Sequence, residues 1–300
     1  MPRPWAVFRS QLTLNSTARR EADLRASHER HCRSIWAPVR RFGHYYLWAI
    51  VAVAQVVFLF MLLGIDFPPY LMLALIPFII PIIAAGWLTV SDYKKQKLHE
   101  PRRAGLWMLA GLVLFALWSG CYFLAGALTS AERVRLLSPG LERHVPFWTD
   151  FSLIYVLVFP LFLLPFFSLK TENALRRAAM SSLLTISACT ITFFIFPVSF
   201  DRPALPGPPD ELGVWILSLV HGADPSWNCL PSEHCAMALI AAMALFVERK
   251  RLGVWALGTA LAIAFSTLCL KQHYFVDALA GFAVALGAIW VAGYKKTRFH

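Results

Sequence analysis

Charge is scarce in this chain. Only 15% of its 300 residues are Asp, Glu, Lys or Arg, whereas 58% are hydrophobic, and the mean hydropathy is +0.58. That balance excludes an ordinary soluble domain. Cysteine is also sparse, six in all, with no CxxC or paired zinc-knuckle spacing, so the usual sequence signs of a zinc ribbon or a dithiol redox centre are missing. Residues 1–30 are polar and Arg-rich and hold no apolar h-region, so no cleavable signal peptide is expected. There is no strong internal repeat and no low-complexity tract. Acidic residues are few, 17 against 28 basic ones, which leaves a net charge of +11. In a soluble chain that excess would suggest nucleic acid. Here no nucleic-acid partner is expected, because the basic residues fall between apolar runs and follow a sidedness rule.

What the chain does have is long apolar runs. Eight can be read as membrane spans, at about 45–64, 69–90, 104–128, 151–169, 180–200, 232–248, 253–270 and 274–293, which predicts an all-α, polytopic membrane helix bundle. The run at 151–169 is the weakest, with Pro160 and Pro165 inside it; proline is tolerated in membrane helices where neighbours satisfy the freed carbonyl. Counted on alternate sides of these spans, 23 of the 28 Lys and Arg residues fall with the N-terminal tail and only Arg133, Arg135, Arg143, Arg202 and Lys271 fall opposite. Both termini are therefore expected in the cytoplasm. Residues 1–44 form a basic tail with nine Arg and no Lys. Its Ala18–Arg41 part reads either as an amphipathic helix on an anionic membrane surface or as a solvated tail that only sets orientation. In the Pro-rich 201–231 loop, Asp210 to His221 reads as a short amphipathic helix, with Trp215 and Trp227 suited to the headgroup level.

Three polar clusters fall on the expected outer side. In the stretch Ser266–Gly281, Lys271, His273 and Asp277 crowd into seven residues between two apolar runs, and ionisable groups at a span point to function. If a helix starts near Tyr274, His273 and Asp277 share a face. The carboxylate can then hold one imidazole nitrogen and leave the other free to attack; the plain alternative is a His–Asp pair that pins a helix end. The second cluster is Pro231-Ser232-Glu233-His234. Ser232 is placed to cap a helix whose N-terminus is a ready anion site, with His234 one turn in; the alternative is a plain cap and an interfacial His. The third is Arg202-Pro203, either a phosphate clamp or a snorkelling anchor. Together these residues suit phosphoryl transfer, which asks for positioning and charge stabilisation. A zinc site is the rival reading of two His and an Asp, but no HExxH-like spacing supports it. Cys229, Cys235 and Cys269 lie near this end and are expected to stay unbridged.

In order, spacing and membrane side, the three clusters resemble the motifs K-x6-R-P, P-S-G-H and S-R-x5-H-x3-D of the type-2 phosphatidate phosphatase superfamily, which also includes vanadium haloperoxidases and inositol-phosphorylceramide-type synthases. The resemblance covers about residues 104–293 and implies a six-helix phosphatase core over 104–300, with 45–103 as two additional spans. It implies that His273 attacks phosphorus, that Asp277 orients it, and that His234 protonates the leaving oxygen and then activates the acceptor. Arg202, Ser232 and Lys271 would hold the phosphoryl oxygens, without metal or other cofactor. Three positions depart from the family pattern: Ile195 stands at its Lys, Thr267 at its Arg and Glu233 at its Gly. Lys271 is expected to replace one missing cation. Three functions stay open: a lipid-phosphate phosphatase, a lipid phosphotransferase with a hydroxyl acceptor, and a catalytically inactive scaffold or transporter. For either enzyme the partners are a lipid phosphate and membrane lipids.

Overall fold

The computed structural model of the chain describes residues 39–48, 50, 104–207 and 211–293. The two spans expected within 45–103, nearly all of the basic tail and the C-terminal Lys295, Lys296 and Arg298 lie outside the described residues. The helices are α1 Ala104–Leu128, α2 Ser152–Tyr155, α3 Val158–Ser168, α4 Glu172–Ile195, α5 Leu212–Ala223, α6 Glu233–Glu248, α7 Lys250–Cys269 and α8 Phe275–Val291. Two short segments, β1 Arg135–Leu136 and β2 Val198–Ser199, pair in parallel and tie the loop after α1 to the end of α4. Among the described residues the remaining regular structure is helical, consistent with the all-α expectation.

Many large apolar side chains of these helices face outward. On α1, Met108, Leu114, Trp118 and Tyr122 are buried while Leu106, Leu109, Val113, Leu117 and Leu124 are exposed. A helix that is apolar all round needs a non-aqueous surrounding on the face that does not pack. Among the described residues, four stretches are long and apolar enough to cross a membrane: Ala104–Leu128, Thr149–Ser168, Glu172–Ile195 and Lys250–Cys269. The six spans expected between 104 and 293 are thus four by length. α6 has 16 residues and α8 has 17, or about 24 and 26 Å at ~1.5 Å per residue, against a hydrocarbon core of about 30 Å.

The reason for the short α6 is its place. Every residue from Glu233 to Ala242 is buried, and α3, α4, α7 and α8 all pack on it. Its alanines at 236, 238, 241, 242 and 244 are the small side chains that let neighbouring helices come close. Arg249 alone links it to α7, a turn so tight that a Cβ on Gly253 would meet Phe246 Cα at 2.2 Å. The expected 180–200 helix instead starts at Glu172, where Thr171 caps it by accepting from the Ala174 N–H; hydropathy alone misses the first two turns, which carry Arg176 and Arg177. It stops at Ile195, two residues before Pro197. The run with two internal prolines is broken, as α2 and α3 separated by a turn, because proline lacks the donor that a continuous helix needs. The expected 210–221 helix forms as α5, two residues later.

At the C-terminal end of α6, the Glu248 carboxylate accepts from the backbone N–H groups of Lys170 and Thr171 at 2.8 and 2.9 Å. The helical stretch at 39–48 docks beside it, with His44 Nδ1 2.5 Å from Ser168 Oγ and Leu47 in the core. At the N-terminal end of α6, α8 lies against the chain: the Ser232 N–H donates to the Asp277 carbonyl at 2.9 Å, and a Cβ on Gly281 would sit 2.2 Å from the Ser232 carbonyl oxygen. Backbone cannot swing aside as a side chain can. Gly281→Ala is therefore expected to force α8 outward and to cost about 1–3 kcal/mol. Thermal unfolding of the detergent-purified protein reads this; an unchanged Tm would show that the contact does not set the helix spacing.

Candidate active site

The α7–α8 turn places His273. α7 ends at Cys269, and Lys271 follows with φ of 53°. The Lys271 N–H donates to the Leu268 carbonyl and the Gln272 N–H to the Thr267 carbonyl, the bond pattern of a Schellman turn, whose left-handed residue is usually glycine. A lysine in that conformation is unfavourable unless something holds it. Its ammonium is held: it donates to the Glu142 carbonyl at 2.6 Å and to the Val145 carbonyl. Glu142, buried, accepts from the N–H of Phe275 at 3.0 Å and from the N–H of Gly140. Burial alone would raise the Glu142 pKa, but these donors and Lys271 outweigh it and bring the carboxyl below its usual range, while burial draws the Lys271 amine down.

Lys271 thus stitches the 137–148 loop over the turn. The structure gives its charge to loop carbonyls, not to the histidine pocket where it was expected to stand in for a missing cation. Lys271→Met leaves two carbonyls without their donor, and is expected to lower stability by about 1–3 kcal/mol with only a few-fold change in KM. A rise in KM at unchanged Tm would restore a direct role in substrate binding.

His273 and His234 come from different elements and meet, with ring centroids 6.0 Å apart. The His273 Nδ1–H donates to the Cys229 carbonyl at 2.9 Å, and Asp277 Oδ2 stands 3.5 Å from the same nitrogen. Asp277 was expected as the orienting group. The carbonyl is the closer partner, and the carboxylate adds charge behind it while accepting from the Tyr274 N–H at 2.8 Å to close the first turn of α8. Both interactions fix the tautomer and leave Nε2 for chemistry. Ser232 caps α6, its hydroxyl accepting from the Cys235 N–H at 3.4 Å, and His234 is the second residue of that helix. His234 Nε2 is 3.0 Å from the Tyr155 hydroxyl; Nδ1 has no hydrogen-bond partner among the described residues. Tyr155, the Cys229 carbonyl and Tyr122 were missed in the sequence. Tyr155 is a polar tip inside an apolar run, a weak signal, and a backbone carbonyl leaves none.

The remaining positions make contacts of their own. Arg202 reaches Asp224, with Nη1 donating to the Asp224 carbonyl at 3.0 Å and Nη2 to its carboxylate at 2.5 Å. Glu233, at the family's glycine position, is buried with its carboxyl beside Trp118 of α1 and Cys189 of α4. Thr267 spends its hydroxyl on the Ala264 carbonyl, and Ile195 is 71% exposed, so neither supplies a cation. Cys229, Cys235 and Cys269 are free thiols.

Cys229, His273 and Asp277 hold three possible ligand atoms within 4.8 Å of one another. The Cys229 thiol, however, is turned to the Ser226 and Gln272 carbonyls, and burial, then the charges of Asp277 and Asp224, push its pKa up, away from the thiolate that binds metal. Beside His234 lies a cavity of about 420 Å³, lined by the rings of Trp118, Tyr122, Tyr155, Phe159 and Trp215, with Asp224 at its edge. That size and apolar lining suit an organic ligand with one polar end.

A membrane-type helical bundle with two histidines facing each other at one helix end defines the class of this protein. Residues 216–291 match the family described as the PAP2 superfamily, which supports the resemblance to the type-2 phosphatidate phosphatases. The matched segment runs from α5 to α8 and contains Ser232, His234, His273 and Asp277. The match points to phosphatase-type hydrolysis or transfer of a phosphoester. No curated protein and no solved structure matches the chain.

Proposed function

We propose that the protein is an integral membrane lipid-phosphate phosphatase that works through a phosphohistidine. The observation that carries this is the 6.0 Å approach of the His234 and His273 rings, with His273 Nδ1 already engaged. His273 Nε2 attacks phosphorus and the bond to the leaving oxygen breaks as His234 delivers a proton to it. Water, deprotonated by His234, then attacks the phosphohistidine, the N–P bond breaks and phosphate leaves. Such a divided reaction replaces one difficult step by two easier ones. The N-terminal amides of α6 and the guanidinium of Arg202 stabilise the phosphoryl oxygens. The lipid part of the substrate is supported by the aromatic cavity beside His234, where the leaving alcohol receives its proton. The charge pattern of the chain supports a site on the extracytoplasmic face, at the headgroup plane.

One observation favours the second reading, transfer to a hydroxyl. The space next to His234 is lined almost entirely by apolar atoms, which suits an amphiphilic alcohol as acceptor better than water. Detergent-purified protein supplied with a panel of lipid phosphates and lipid diphosphates separates the cases. Phosphate release supports hydrolysis, and a new phosphodiester in the presence of alcohols supports transfer. Neither product from any substrate would sink both and leave an inactive relative.

A further inference from the structure

Arg202 carries a second message. Its side chain is 13% exposed, and its Nη1 and Nη2 both point to one residue, Asp224, through the carbonyl and the carboxylate. The other carboxylate oxygen of Asp224 accepts from the Tyr122 hydroxyl. Asp224 caps the C-terminus of α5, where its N–H donates to the Val220 carbonyl at 2.8 Å. A carboxylate at that end of a helix faces the negative pole of the dipole and is unfavourable by itself. Arg202 offsets both the carboxylate and the exposed carbonyl. The partnership takes the end-on edge of the planar fork. Its side edge is different: Nε is buried and has no hydrogen-bond partner among the described residues. A buried, charged donor left open is costly unless a ligand fills it. Tyr122, which holds Asp224, has its ring 6.0 Å from that of His234, and both line one cavity with His234, so Arg202 is tied to the neighbourhood where the two imidazoles meet.

We infer that Asp224, braced by Tyr122, is the positioning residue for Arg202: it holds the end-on edge of the guanidinium so that the side edge forms a two-donor seat for phosphoryl oxygens. Arginine is suited to this because its five donors lie in one rigid plane. Fixing two of them fixes the direction of the rest, and the entropy of orienting the clamp is lost on folding, before substrate arrives. Asp224 and Tyr122 also line the aromatic cavity with His234, so the phosphate seat and the apolar site share one wall.

This inference rests on the phosphoryl reading above, and its test separates the two. Inorganic phosphate is titrated into the full chain in detergent and followed by calorimetry. Asp224→Asn keeps the shape and removes the charge; it is expected to weaken phosphate binding by about tenfold to a hundredfold, the scale of a misplaced binding group. Arg202→Gln should weaken it comparably, and adding Asp224→Asn to Arg202→Gln should cost nothing more. A structural role for Asp224 alone would give additive losses. Tyr122→Phe, which deletes one hydroxyl, keeps the test intact if Asp224→Asn fails to fold; its smaller loss should likewise vanish when Arg202 is Gln. Unchanged affinity in Asp224→Asn, or in Tyr122→Phe where only that variant folds, overturns the inference, as do additive losses in the double variants. Wild-type protein that binds no phosphate overturns the phosphoryl reading along with it.

Discussion

His273→Ala is expected to lower turnover of a lipid phosphate by about 10³- to 10⁶-fold, the scale seen when a covalent nucleophile is removed, while the protein stays folded. The imidazole is buried, but it closes no layer of the core: its partners are a carbonyl and a carboxylate at the rim of α8. Loss of the ring leaves the Schellman turn intact, because that turn is made by the backbone of residues 267–272. Phosphate release and a thermal melt on the same preparation read the two halves of the expectation. A folded His273→Ala protein with wild-type turnover would remove the nucleophile from the mechanism. The intermediate has its own test: brief exposure to substrate labelled in the transferred phosphoryl group should mark the wild type with an acid-labile, base-stable phosphate and leave His273→Ala unmarked.

The second large effect is at His234. General acid–base groups contribute about 10²- to 10⁴-fold, so His234→Ala should lose on that scale, and the loss should depend on the leaving group. A substrate with a good leaving alcohol, such as an aryl phosphate, needs less help from a proton and should be impaired less than an alkyl phosphate. Equal impairment of both would assign His234 a structural part. Its setting favours chemistry. Tyr155 takes Nε2, Trp118, Tyr122 and Phe159 meet the ring edge to face, and Nδ1 is left open.

Parts of this arrangement could be read before any fold was known. Ser232 after Pro231, opening an apolar run, announced a helix cap, and the cap forms. The spacing of His273 and Asp277 placed both near the start of the last helix, where they lie within 3.5 Å. Lys271 makes contacts other than those expected, for a physical reason. Nearness in sequence to His273 suggested a cation in the same pocket, but a left-handed residue at position 271 swings its side chain toward the 137–148 loop. Asp224 gave no local sign of its role, since a carboxylate in a polar loop is common and its meaning comes from Arg202, 22 positions away. Hydropathy also did not distinguish the sheathed 16-residue α6 from a lipid-facing helix, because a helix sheathed by other helices looks as apolar as one facing lipid.

Composition and local pattern by themselves determined the helical, membrane-type class, the superfamily resemblance and the identity of the paired histidines, since apolar run length, caps and motif spacing are properties of neighbouring residues. Tertiary structure alone decided that the two rings meet 6.0 Å apart, that a backbone carbonyl holds one of them and that Arg202 faces Asp224. Those facts depend on how closely α8 approaches α6 across Gly281 and on how the loop before α6 folds back over both, and such distances arise from packing between segments far apart in the chain.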